Sequence, residues 1–281
     1  MSAVLWGIIG IFVRRLTAIG LGSMEQMLVR SVIAAVGLVL YLAIFDREKL
    51  KVRVKDLWLF FGTGVVSFLT FGWAYFFTIG ITSMSTAAVL LYTSPIFVTV
   101  MAAIFFKERI TATKIIALLL ALGGTVLVSG GFGGADIKLL GIATGLLSGF
   151  CYALYSIFGR VAAKRYSPIT VTAYTFLFSS AGCVFVADWS KAAEVIKSEP
   201  SSIPLMIVFA VLTAVIPYIL YTGGLKYTSA GKAAVIACVE PVVATLTGVL
   251  VFREVMSIQA LCGSLLILGA ILLLNKKGQN G

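Results

Sequence analysis

The chain has 281 residues, 60% hydrophobic and only 12% charged, whereas a soluble domain carries about 25% charged residues. Its net charge of +11 does not suit a nucleic-acid reader, because the bases lie scattered in short gaps between apolar runs, where they fit anionic lipid headgroups. Histidine is absent, which removes the commonest general base and metal ligand. Cys151, Cys183, Cys238 and Cys262 lie inside apolar runs without CxxC spacing, so they read as small core residues and no metal or cofactor is expected.

A helix needs about 20 apolar residues to cross a bilayer, and backbone inside lipid must satisfy its own polar groups, so long apolar runs read as helices. Ten such runs follow one another, beginning with 2–16. That run carries Trp6 and is short for a span, and it has neither the basic start nor the cleavage site of a signal peptide. The second, 24–45, opens with Glu25 and Arg30. Arg30 lies roughly 9 Å deep by helical rise and could snorkel to the outer headgroups. Five positions separate it from Glu25, a poor spacing for one helix face, and a structural role for both is favoured. The run 57–79 brings Trp73 and Tyr75, and 83–106 brings Tyr92, Thr93, Ser94 and Pro95 before ending near Glu108.

After 112–130, Gly130 to Gly134 reads as a turn. The run 138–159 holds Gly141, Gly145 and Gly149, a doubled GxxxG that predicts close packing within one chain, followed by Tyr152 and Tyr155. The run 168–188 leads into the one long polar interruption, Trp189 to Pro204, which predicts a short amphipathic helix on the outer surface. The last runs are 204–225 with Pro217, Tyr218 and Tyr221, then 229–252 with Glu240 and Pro241, then 258–275.

These runs are written twice. A shift of 146 positions carries 73–130 onto 219–276 without a gap, and brings Tyr75 onto Tyr221, Pro95 onto Pro241, Thr99 onto Thr245, Phe106 onto Phe252 and Glu108 onto Glu254. Upstream, Phe12 meets Phe158 and Arg14 meets Arg160. The second copy's first helix begins near Leu139, so the first copy's is expected to lack about seven residues of a normal span. Two five-helix repeats result, 1–137 and 138–281, in an all-α integral membrane protein. With the N-terminus inside, fifteen of the 22 Lys and Arg fall on the inner side, which predicts a multi-pass cell-membrane protein with both termini cytoplasmic. Five helices per copy is an odd number, so the second copy enters inverted, as in many secondary transporters.

Glu240 lies about eleven residues into its run, near the bilayer midplane, where an acid costs at least about 2.5 kcal/mol on insertion scales. Pro241 beside it removes a helix hydrogen bond. The carboxyl suits a cation, a substrate amine or a proton; the alternative is a neutral hydrogen bond to a neighbouring helix. Its repeat counterpart is Ser94, so Pro95 and Pro241 break two helices that are expected to face each other, with Pro217 as a third break. Trp6, Trp73, Tyr75, Tyr92, Ser94, Tyr155 and Tyr221 complete the expected cavity. Glu108 and Glu254 read as loop anchors at opposite faces. No nucleophile-elbow, P-loop or HExxH motif occurs, so no enzyme is expected.

The chain resembles the drug/metabolite transporter superfamily in its ten-helix EamA-type branch. The resemblance covers nearly the whole chain and rests on the repeat, Trp6-Gly7, Arg30, Tyr92-Thr93-Ser94-Pro95 through Phe106-Lys107-Glu108-Arg109, and Glu240-Pro241 through Phe252-Arg253-Glu254. It implies gradient-driven export of amino acids or other small metabolites without ATP, with protons as a candidate coupling ion. A membrane-embedded binding or scaffold protein of the same fold is the alternative.

Overall fold

The computed structural model describes residues 1–131 and 139–276. The Phe132–Gly134 part of the expected turn, Lys138, Lys277 and the boundary between the two expected repeats lie outside the described residues. The described chain is helical: α1 (Ser2–Gly7), α2 (Ile9–Ala18), α3 (Ser23–Phe45), α4 (Val54–Ile81), α5 (Met84–Phe106), α6 (Ala112–Val128), α7 (Leu139–Ala163), α8 (Pro168–Cys183), α9 (Trp189–Ser198), α10 (Pro200–Tyr227), α11 (Ala230–Phe252) and α12 (Ile258–Lys276). Six of them, α3, α4, α5, α7, α10 and α11, are long and apolar enough to cross a membrane. Their outer faces carry Val36, Leu40, Ile44, Ile104, Phe105 and Leu250, all exposed. An apolar surface of this extent belongs against lipid, and the molecule is a multi-pass membrane protein.

Sequence chemistry sets the helix ends. Ser83, Thr111, Ser167, Asp188 and Ser229 each accept a backbone N–H from three residues on, satisfying a donor that the helix leaves open. The polar interruption forms α9 as expected, while α8 stops at Cys183, five residues before the end of its apolar run. Cys262 is a correction: unlike the three buried cysteines it is exposed, on the outer face of α12.

Several local features recur 146 residues apart. Ser83 and Ser229 cap α5 and α11. Both helices are interrupted, between Leu91 and Ser94 and between Ala237 and Val239. Both end in a left-handed residue, Lys107 at φ 54° and Arg253 at φ 56°. A side chain there costs roughly 1–2 kcal/mol. The turn offsets part of this, because the next N–H, of Glu108 or Glu254, bonds back to Ala102 or Gly248 at 3.2 and 3.1 Å. Both α4 and α10 contain a π-helical stretch, Gly62–Leu69 and Val211–Val215.

Small residues and paired hydroxyls join the helices. Cβ atoms added at Gly141, Gly145 and Gly149 of α7 would meet Thr82, Leu90 and the Leu90 carbonyl at 2.4, 2.4 and 2.8 Å, so the doubled GxxxG packs against α5 and its approach within the chain. Thr63 bonds Thr175 at 2.7 Å, Thr78 bonds Thr144 at 2.8 Å and Ser31 bonds Ser179 at 3.1 Å, each buried between helices. At one face the carboxylate of Asp56 takes Arg165, Arg53 Nε at 3.1 Å and the Tyr166 hydroxyl at 2.6 Å, tying the first turn of α4 to the loop before α8.

Candidate functional site

Two broken helices and the first helix meet in the middle of the molecule. Pro95 and Pro241 have no N–H to give, so the turn before each loses a bond and opens there. A Cβ on Gly7 would lie 2.8 Å from the Glu240 carbonyl and 2.5 Å from Val243 Cβ. Only glycine lets α1 rest on α11 at this break, which gives the Trp6-Gly7 pair its physical reason. On the other side Gly149 of α7 approaches the α5 break, where its Cβ would lie 2.9 Å from Thr93 Oγ1.

Glu240 is partly accessible although it is deep in α11. Its carboxyl is near Tyr92, at the α5 break, and Tyr152 of α7, with Arg30 also in its neighbourhood. Tyr75 stands on the same side, its ring 6.4 Å from that of Phe71. The wall beside it is aromatic: Trp6 meets Tyr218 at 5.3 Å and Tyr221 at 5.4 Å, and Tyr155 meets Tyr218 edge-on at 4.9 Å. Together with Phe68, Phe71, Tyr152 and Ser156 these rings line a narrow cavity. Their hydroxyls are held: Tyr155 bonds Thr222 Oγ1 and Tyr221 bonds Ser156 Oγ, each at 2.8 Å. A carboxyl among phenols suits an ammonium group, another cation or a proton, and the rings suit an apolar body or, through their faces, a cation.

The structure thus brings Glu240, Tyr92, Tyr75, Trp6, Tyr155 and Tyr221 together. Ser94 and Pro95 are buried at the α5 break, and Pro241 is buried at the α11 break. Pro217 follows the π stretch of α10, so the irregularity there lies upstream of the proline. Two placements, those of Trp73 and Arg30, differ from expectation. Trp73 is 43% exposed and stacked on Phe77, on the outer face of α4 rather than in the cavity. Glu25 accepts the Asp188 N–H at 3.4 Å, near α9 and away from the cavity. Arg30 does not reach the headgroups: its Cζ lies 5.0 Å from the centre of Phe68 and 5.6 Å from Phe209, and Nε is buried without a hydrogen-bond partner among the described residues.

Tyr152, Tyr218, Phe68, Phe71 and Ser156 are cavity residues that sequence reasoning passed over. For Tyr152 a signal existed, because the 146-residue shift brings Trp6 onto it.

The sequence profile of the EamA-like transporter family matches residues 1–130 and 139–276. The chain belongs to this family. Among its relatives, an "uncharacterized transporter" of Archaeoglobus fulgidus is 29% identical over 219 residues, covering 75% of this chain and 74% of the relative. The "uncharacterized inner membrane transporter YicL" of Salmonella typhimurium is 24% identical over 213 residues, covering 75% and 70%. A solved structure titled only "Crystal structure of protein" superposes with a TM-score of 0.80 at 18% identity, covering 100% of this chain and 96% of its own, which shows a shared fold.

Proposed function

We propose that this EamA-type transporter is a secondary active exporter of a small polar or amphipathic metabolite, such as an amino acid, working by alternating access. In this reading ten spans form two inverted five-helix copies, and the substrate path runs between them. The observation that carries the reading is Glu240, an acid at the break of α11 where Gly7 of α1 rests on the helix, with Tyr92 of the first copy and Tyr152 of the second near its carboxyl. Midplane sites at broken helices, between repeats, are the construction that alternating access requires. The recurrence of caps, breaks and left-handed ends 146 residues apart supports two copies of one design. The inversion is supported by α5 and α11, since the end of α5 at Glu108 meets the start of α11 at Ala230. Protons are the coupling ion of this reading, with Glu240 as the group that exchanges them.

The test is flux through purified protein in proteoliposomes loaded with a defined mixture of the common amino acids. We expect at least one component to leave faster when a pH gradient is imposed, and this difference to vanish when the gradient is collapsed. Flux equal to that of empty liposomes for every component, with or without the gradient, would overturn amino-acid export. If nucleosides and sugars loaded the same way also stay inside, the alternative of a non-transporting membrane scaffold takes its place.

A further inference from the structure

Two ion pairs in this molecule are copies of each other. The Arg160 guanidinium donates to Glu108 and lies over the Phe106 ring, its Cζ 4.7 Å from the centroid. The Arg14 guanidinium donates to Glu254 at 2.6 Å and lies over the Phe252 ring at 4.0 Å. A shift of 146 carries Arg14 onto Arg160, Phe106 onto Phe252 and Glu108 onto Glu254. In each pair the arginine belongs to one copy, and the glutamate with its phenylalanine belongs to the other. The same backbone device presents both acids, the left-handed turn at Lys107 or Arg253.

The pairs stand at opposite ends of α11. Its first N–H, of Ala230, donates to Glu108 at 3.0 Å, while Phe252 and Glu254 close its other end. Each pair also sits at the far end of a half-helix that starts at a break beside the site. Ser94–Phe106 has 13 residues and Val239–Phe252 has 14, so each half-helix spans about 20 Å from break to pair. A tilt at the break is delivered at the pair.

The pairs are not in the same condition. Glu108 and Arg160 have side chains only 11% and 19% exposed, and Glu108 also takes Lys114 Nζ at 3.4 Å and the Ala230 N–H. Glu254 and Arg14 are 50% and 56% exposed, and Met84, the counterpart of Ala230, is 68% exposed. A half-exposed pair contributes little, whereas breaking a buried one strands a charge.

We propose that Arg160–Glu108 on Phe106 and Arg14–Glu254 on Phe252 are two copies of one lock, which close the path to the site alternately at opposite faces. Both pairs are formed in this structure, the Glu108 lock buried and the Glu254 lock half-exposed and so the readier to open. This rests on the transport reading above, and the test separates the two. In a background with all four cysteines replaced, Ser156→Cys places one thiol in the cavity. Its labelling by a charged, membrane-impermeant maleimide is followed from each side, in right-side-out and inverted vesicles.

Arg160→Gln and Glu108→Gln should each raise labelling from the Glu108 side by about tenfold and lower it from the other side. Arg14→Gln and Glu254→Gln should act in the opposite sense and more weakly. The exchange Glu254→Arg with Arg14→Glu, at the pair without further charged partners among the described residues, should return labelling toward the parent. If the buried-pair variants do not elute as folded protein, the exposed pair decides the matter alone. Equal labelling in all variants, a shift of the same sign for both pairs, or an exchange that does not restore the parent pattern would overturn the lock. No substrate enters this assay, so opposite shifts in a protein without flux would keep the lock and sink only the transport reading.

Discussion

An acid deep in an apolar span must be neutral, paired or wet, and Glu240 has phenols near it and no salt bridge among the described residues. Such a carboxyl can take up a proton and release it without breaking a strong ion pair. Glu240→Gln keeps size and hydrogen bonding but never ionises. The variant should fold and reach the membrane, lose accumulation driven by a pH gradient, and retain exchange; accumulation at the wild-type level would rule the coupling role out. Asp56 makes a stability claim at the same scale. Its side chain is 1% exposed and holds Arg165, Arg53 and Tyr166, the two arginines being 42% and 61% exposed. Asp56→Ala should lower stability modestly, because its half-exposed arginine partners resolvate and the lost tie to Tyr166 is the main cost. Asp56→Asn, which keeps an acceptor, should lose less, and thermal unfolding in detergent measures both. Depth and a neighbouring proline made Glu240 legible in the sequence. Trp73 was misread because an aromatic residue in a span looks the same whether it faces lipid or the cavity. Arg30 was misread because depth alone does not give the direction of a long side chain.

Helix faces decide the next scale. In α6 and α12, Cβ atoms added at Gly124 and Gly263 would each stand 2.5 Å from the other residue's carbonyl oxygen, while a Cβ on Gly123 meets nothing within 4 Å. Gly124→Ala should therefore lower the melting temperature, at a cost of about 1–3 kcal/mol as backbones are forced apart. Gly123→Ala should leave it unchanged or raise it, since alanine is the better helix former. Equal effects would contradict the packing. The 146-residue shift marks Gly123 and Gly269 as equivalent, yet the close contact belongs to Gly124 and Gly263, because equivalence in the sequence says nothing of which face touches. For the same reason Arg14, Arg160, Glu108 and Glu254 stood in the shift as matched residues while their pairing across copies stayed hidden. The amphipathic α9 offers a pH test. Hydrogen bonds from the Ser190 hydroxyl and the Lys191 N–H hold the Asp188 carboxyl below its usual range. A lowered folded value stabilises above the unfolded pKa, so the cap should hold above about pH 4 and be lost as pH falls below it. Amide exchange in Trp189–Ser198 should rise over that range.

At the scale of the whole molecule, apolar runs and one constant shift marked most helices and the breaks at Pro95 and Pro241, but not the turn at Ile8 that divides the first run into α1 and α2. The π stretches in α4 and α10 were not legible, since no proline lies within Gly62–Leu69 or Val211–Val215 to mark them. The central claim is that one five-helix design enters the membrane twice in opposite senses. It rests on the odd helix count expected for each copy and on the basic loops, with Arg47–Lys55 expected on the inner side and Lys191 to Lys197 on the outer. The hub at Asp56 joins the first of these to the Arg165 loop, also expected inside. The most direct test is single-cysteine labelling at Lys51→Cys and Lys197→Cys with an impermeant reagent on intact cells. We predict that Lys197→Cys reacts from outside and Lys51→Cys only after the membrane is opened; reaction of both from the same side would contradict the inverted repeat.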